Sequence, residues 1–161
     1  MEIRAFAEQD WPAVWRIFRE VTQAGETYAY DLDWSEAEAR GVWIERPPEV
    51  TLVAVADGVV LGTAKAGQNR PGRGSHVATA SFMVSSDARG QGVGRALGEA
   101  VLDWARREGY AAMQFNAVVE TNAPAVHLWQ ALGFAIVGTV PEAFEHPAHG
   151  RVGLHVMHRF L

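Results

Sequence analysis

The chain has no cysteine among its 161 residues, which excludes a disulfide framework, a thiolate nucleophile and a cysteine-held metal. Its six histidines show no His-x-x-x-His or comparable ligand spacing on an expected helix, and His146 and His149 sit in a stretch broken by Pro147 and Gly150, so no metal site is expected. An excess of basic residues is also lacking. Lys and Arg number 14 against 19 Asp and Glu, for a net charge of −5, the wrong sign for neutralising nucleic-acid phosphates. No apolar run approaches the ~20 residues of a membrane span, and Met1-Glu2-Ile3-Arg4 opens without an apolar signal core. The expectation is a cytoplasmic protein with neither a membrane nor a nucleic-acid partner. Repeats and low-complexity segments are absent. The length suits one domain, residues 1–161, large enough to bury about two-thirds of its unfolded surface.

What is present alternates strand and helix patterns. Glu2 to Phe6 reads as a strand, and Asp10-Trp11-Pro12 reads as an N-cap with proline just inside a helix that runs to about Gln23. Gly25 to Trp34 is an aromatic-rich loop. Ser35-x-x-Glu38 is a capping box for a second helix that Pro47-Pro48 must stop. Thr51 to Ala56 and Val59 to Ala66 pair across Asp57-Gly58, a strong hairpin signal. Gln68 to Ser75 is a loop, and Val77 to Val84, Tyr110 to Val119, Phe134 to Val140 and about Arg151 to Phe160 are strands. Pro141 to Gly150 is expected as a loop. Between the strands lie helices from Val93 to Glu108 and from Asn122 to the αL C-cap Gly133. The order βααβββαβαββ implies an α/β fold with a mixed sheet. Val93, Leu97, Ala100, Val101 and Trp104 form one apolar stripe at helical spacing, which is core.

The densest signal is Arg89-Gly90-Gln91-Gly92-Val93-Gly94-Arg95-Ala96, placed where the strand ending at Val84 gives way to the helix from Val93. Alternate glycines let the backbone close around an anion, and a helix N-terminus points unpaired N–H groups and the positive end of its dipole at it. The spacing is Gly-x-Gly-x-Gly, unlike the dinucleotide fingerprint, and no Gly-Lys-Ser/Thr follows as in a P-loop. It resembles the Gln/Arg-x-x-Gly-x-Gly/Ala signature of the GNAT superfamily of acyl-CoA-dependent N-acetyltransferases, with Arg89, Gly92 and Gly94 at the fixed positions. Asn122-Ala123-Pro124-Ala125-Val126-His127-Leu128-Trp129-Gln130-Ala131-Leu132-Gly133-Phe134 is similar to that family's second cofactor segment. The two motifs stand in the family's order, and the likeness covers Val77 to Leu161.

The resemblance implies a mostly antiparallel central sheet with one splayed parallel strand pair, flanked by helices, and acetyl-CoA (coenzyme A) as cofactor. It implies that the backbone from Arg89 through Gly90, Gln91, Gly92, Val93, Gly94 and Arg95 holds the pyrophosphate arm, that Asn122 and Trp129 flank the pantetheine, and that amides near Met83 and Val84 polarise the thioester carbonyl. Trp129 stands where the family carries a tyrosine acid, and an indole N–H is no acid near neutral pH. Packing is its favoured role.

Period-two alternation puts Thr79, Ser81 and Met83 on one face of their strand and Gln114 and Asn116 on one face of theirs. Polar side chains at strand centres either bond to one another or line a pocket. Phe115-Asn116 with Asn122 six residues on resembles the GNAT subgroup that acetylates proline analogues such as azetidine-2-carboxylate, where the asparagine contacts substrate. Tyr28, Tyr30 and Trp34 could close over a substrate or pin their loop to the core. Glu120 is the first candidate base, ahead of Glu26 and His127. The expected partner is a small-molecule amine or amino acid, and a homodimer through the Pro141–Gly150 segment is open. Alternatives are a polyamine, aminoglycoside or protein N-terminus as acceptor, for which Asp31, Asp33, Glu142 and Glu145 would have to converge in the polycation case, and a non-catalytic acyl-CoA-binding module.

Overall fold

The computed structural model describes all 161 residues. Its elements are β1 (Glu2–Ala5), α1 (Trp11–Ala24), α2 (Glu36–Trp43), β2 (Val50–Ala56), β3 (Val59–Gln68), β4 (Val77–Val84), α3 (Val93–Arg107), β5 (Ala112–Val119), α4 (Ala123–Ala131), β6 (Ala135–His146) and β7 (Gly150–Phe160). All seven strands form one sheet in the order β1-β2-β3-β4-β5-β7-β6. Every neighbouring pair is antiparallel except β4 with β5.

Local chemistry sets several boundaries as expected. The Ser35 hydroxyl accepts from the Glu38 N–H while the Glu38 carboxylate accepts from the Ser35 N–H at 2.8 Å, starting α2. Asp57 and Gly58 adopt φ of 50° and 77° and turn β2 into β3. Two boundaries differ. Asp10 precedes α1 but does not cap it: its carboxylate takes the Ala7 N–H at 2.8 Å and a two-pronged pair with Arg4 at 2.6 and 2.8 Å. The segment expected as a loop after Val140 is mostly strand. The ladder slips between Val140↔Leu154 and Phe144↔Val152, with Glu142 at φ 51°, and then continues to His146. A bulge absorbs Pro141, which has no N–H to give a ladder.

Helices cover both faces. α1 and α2 pack Val14, Ile17, Phe18 and Trp43 against Val53 and Met83. On the other face α3 and α4 pack Leu97, Val101, Trp104 and Trp129 against Ala78, Met113, Phe115 and Met157. Each such side chain contributes roughly 1.5–3 kcal/mol on leaving water. The two clusters fix which way β4 and β5 face: Ala78, Ala80, Phe82 and Val84 point to α3 and α4, and Met83 to α1 and α2.

Candidate active site

The parallel pairing of β4 with β5 is brief, covering only Val77↔Ala112 and Ala78↔Met113. Beyond it the strands part. Alternation along β4 then decides which main-chain groups line the opening. The Ser85 N–H donates to Leu61 of β3, the Val77 carbonyl accepts from Asn69 beyond the end of β3, and the His76 carbonyl accepts from Ala111 just before β5. Even-numbered residues of β4 therefore turn their N–H and C=O toward β5, so Phe82 and Val84 face the cleft. Met83, expected among the carbonyl-polarising amides, turns its N–H to β3 and buries its side chain in the α1–α2 core. Of the expected pair only Val84 turns its N–H to the opening, and Phe82 is the β4 residue that joins it.

At the mouth of the cleft Gly90 and Gly92 take φ of 77° and 78°, a left-handed conformation open to glycine. Gly92 is the N-cap of α3. The Ala96 N–H closes the first helical turn on the Gly92 carbonyl, Arg89 and Gln91 donate to Ser86 and Ala88, and the N–H groups of Gly90, Gly92, Val93, Gly94 and Arg95 have no acceptor within the chain. These donors at a helix N-terminus make an anion cradle. Gly94 has another role besides, since a Cβ there would lie 3.3 Å from Leu128 of α4. Asn122 caps α4, its side-chain oxygen accepting from the Ala125 N–H at 3.4 Å, which leaves its amide nitrogen available.

On the α1–α2 face of the opening the polar side chains converge. Gln114 donates to Asn116 at 2.9 Å, and Asn116 donates to Asn69 at 2.7 Å, linking β5 to the end of β3 across β4. A bulge between Phe115 and Val118 leaves Asn116 and Ala117 exposed. Thr79 and Ser81 share this face, as the alternation predicts. Tyr28 reaches over from the α1–α2 loop, stacked parallel on Tyr30 at 5.4 Å and edge-on to Trp43 at 6.1 Å. Tyr30 stacks on Phe18 and leans on Trp34. The aromatics thus pin the loop to the core and, through the Tyr28 hydroxyl, also reach the cleft. Burial holds the Tyr28 phenol well above its usual titration range, and Tyr30 is raised for the same reason, with Glu45 adding to it.

One further expectation changes, that for Glu120, while Trp129 takes the packing role favoured from sequence. Trp129 is 7 % exposed and wedges between Phe82 at 4.6 Å and Phe115 at 4.9 Å, with Gly98 beneath it. Its place is packing between the parted strands. The Glu120 carboxylate accepts from the Gly153 N–H and lies against Thr139, on the sheet face away from Gln114 and Asn116, because the bulge shifts the alternation of β5 by one. Held there, it is no base for an amine beside Asn116. Glu26 and His127 are exposed. Phe82, Asn69 and His158 were not singled out by sequence. Only strand pairing shows that Phe82 faces the opening, and His158 stands directly opposite Gln114 in the β5–β7 ladder. A surface groove of about 600 Å³ lies elsewhere, between α3 and the α4–β6 turn, and is lined mostly by charged side chains including Arg95, Glu99, Asp103 and Arg106. Two of its ion pairs, Arg95–Glu99 and Arg106–Asp103, are internal.

A glycine cradle opening onto a splayed parallel pair is what the sequence resemblance anticipated, and comparison with known proteins decides the family. Residues 11–134 match the acetyltransferase (GNAT) family. The chain belongs to the GNAT family. A GCN5-related N-acetyltransferase from Kribbella flavida is 60% identical, with a TM-score of 0.97 over 99% of this chain and 97% of that one. A GNAT superfamily phosphinothricin acetyltransferase from Sinorhizobium meliloti, solved in complex with AcCoA, has a TM-score of 0.88 at 26% identity over 99% of this chain and 88% of its own. An L-methionine sulfoximine/L-methionine sulfone acetyltransferase from Pseudomonas aeruginosa is 30% identical over 149 residues, 87% of this chain and 83% of its own. This GNAT protein is an acetyltransferase that uses acetyl-CoA, and no helix in it is long and apolar enough to cross a membrane.

Proposed function

We propose that this N-acetyltransferase transfers the acetyl group of acetyl-CoA directly to the amine of a small amino acid or amino-acid analogue. The observation that carries the reading is the uncharged amide bridge of Gln114, Asn116 and Asn69 on the acceptor side of the cleft. Amides can turn N–H donors toward a substrate carboxylate without the strong ion pairing that a polycation site needs. None of Asp31, Asp33, Glu142 and Glu145 takes part in that bridge, so the polar lining there is amide and not the carboxylate that a polyamine or aminoglycoside would need. Relatives named for methionine sulfoximine and phosphinothricin support the same class.

The residues divide as follows. The unpaired N–H groups from Gly90 to Arg95 hold the pyrophosphate of acetyl-CoA, with Arg89 and Arg95 adding positive charge. The Asn122 amide binds the pantetheine. The cleft-facing N–H groups of Phe82 and Val84 are placed for the thioester carbonyl, a contribution of about 3 kcal/mol per good donor. Asn116 and Gln114 orient the acceptor, and His158 takes the amine proton, directly or through water. Acetyl-CoA brings an activated acyl group whose thiol, with a pKa of about 8 to 9, leaves without a strong acid.

Thiol release from acetyl-CoA in the presence of a panel of amines tests this. Acceptor-dependent release with amino acids and their analogues is the expected result. Release only with polyamines or aminoglycosides contradicts the substrate class, and no release with any amine leaves the binding-only alternative.

A further inference from the structure

Where β5 departs, the main-chain groups of Phe82 lose their natural ladder partner. One side chain takes both. The Tyr28 hydroxyl donates to the Phe82 carbonyl at 2.7 Å and accepts from the Phe82 N–H at 2.8 Å. Tyr28 comes from a loop 54 residues away in sequence, and the stack with Tyr30 and the edge contact with Trp43 hold its ring. The hydroxyl thus stands in the opening, on one of the β4 N–H groups that a paired β5 would otherwise cover. An oxygen accepting from that N–H occupies the position where a thioester oxygen would accept. We propose that Tyr28 is a catalytic residue: its O–H and the Phe82 N–H form a two-donor oxyanion hole, and in the resting protein the N–H donates to the Tyr28 oxygen while the O–H donates to the Phe82 carbonyl.

The step balances without another reactant. The acceptor nitrogen's lone pair forms the N–C bond and the carbonyl π pair moves onto oxygen, where the Phe82 N–H and the Tyr28 O–H, released from the Phe82 carbonyl, both donate to it. As the pair returns, the C–S bond breaks, coenzyme A leaves as thiolate and takes up a proton, and the amine's proton passes to His158 or water. The hydroxyl must stay protonated to donate. Burial favours that form, which also makes Tyr28 a poor base. The arrangement supplies a side-chain donor in a chain whose α4 carries Trp129 in place of a tyrosine.

The inference rests on the site reading above, and Tyr28→Phe tests it because the ring and its stacking survive. The expected result is a fall in kcat of about 100-fold, as for loss of one oxyanion donor, with KM for acetyl-CoA changed less than about threefold. Calorimetry with S-carboxymethyl-CoA, whose carboxylate oxygen mimics the oxyanion, gives a readout independent of turnover. The wild type should bind it more tightly than coenzyme A itself, and Tyr28→Phe should lose that preference while binding coenzyme A normally. Should the variant fold poorly, the Phe82 amide resonance of the wild-type protein serves: it shifts on addition of S-carboxymethyl-CoA and not on addition of ADP. A kcat within twofold of wild type, an analogue preference unchanged in the variant, or a Phe82 amide indifferent to the analogue overturns the role. If the cradle amides respond to the analogue while Phe82 does not, only the Tyr28 role fails. If neither responds, the site assignment fails with it.

Discussion

Replacing Gly92 with alanine isolates the cradle. Gly92 holds φ of 78° with nothing within 4 Å of where a Cβ would stand, so space is not the obstacle and the cost is conformational. A non-glycine residue pays about 1–2 kcal/mol in this region. Gly94 is a contrast from the same loop: its φ is not in that region, and its Cβ would meet the ends of two side chains, Leu128 at 3.3 Å and Val84 at 4.0 Å. If Gly92→Ala relaxes the strain by shifting the loop, the N–H groups of Gly90 to Arg95 lose their convergence and the same 1–2 kcal/mol appears in acetyl-CoA affinity. That is about 5- to 30-fold in Kd. If the loop holds its shape, the cost appears as a Tm lowered by about 2–8 °C for a domain of this size. Isothermal titration with coenzyme A and differential scanning calorimetry of both variants measure the two outcomes. Gly94→Ala should stay within about threefold of wild type in Kd. A Gly92→Ala protein with wild-type affinity and wild-type Tm, or a Gly94→Ala protein that is the more damaged of the two in binding, refutes the reasoning.

Further outcomes follow from the same geometry. Asn116→Ala should lower acceptor-dependent kcat/KM by 10-fold or more, since it removes the centre of the amide bridge, while coenzyme A affinity stays near wild type; steady-state kinetics and calorimetry separate the two. Trp129→Ala should cost about 3–5 kcal/mol, a fall in Tm of roughly 10 °C, because the indole fills the wedge between Phe82, Phe115 and Gly98. The Arg4 guanidinium, with the Ala7 N–H, holds the Asp10 carboxyl below its ordinary range. A lowered folded-state pKa means stability that is present above pH ~4, the unfolded value, and lost as pH falls through the folded value. Asp10→Asn should therefore cost about 1.5–3 kcal/mol near neutral pH and flatten the acid limb of a urea-unfolding series taken below pH 4.

The sequence carried the element order and the cradle because both rest on local chemistry. Glycine at Gly90 and Gly92 and the capping residues Ser35, Asn122 and Gly133 report backbone conformation directly. What depends on pairing was illegible. No local signal distinguishes the N–H of Phe82 from that of Met83, since the choice is made by which strand lies on which side of β4. The bulge at Asn116 and Ala117 reverses the alternation of β5, so a strand read as regular misplaces Glu120. Asn69 lies in a loop, and its contact with Asn116 spans 47 residues. Asp10 follows the N-cap pattern, but Arg4 and the Ala7 N–H compete for its carboxylate and win. Pro141 reads as a strand terminator and is instead accommodated in a bulge.

The central claim is that backbone donors at the start of α3 grip the diphosphate of acetyl-CoA. A titration of isotope-labelled protein with coenzyme A, followed through its backbone amide resonances, tests it directly. The account predicts the largest shifts at Gly90, Gly92, Val93, Gly94 and Arg95, reproduced by ADP alone. Saturable binding that leaves those five amides unmoved, with shifts instead along the groove between α3 and the α4–β6 turn, would contradict it.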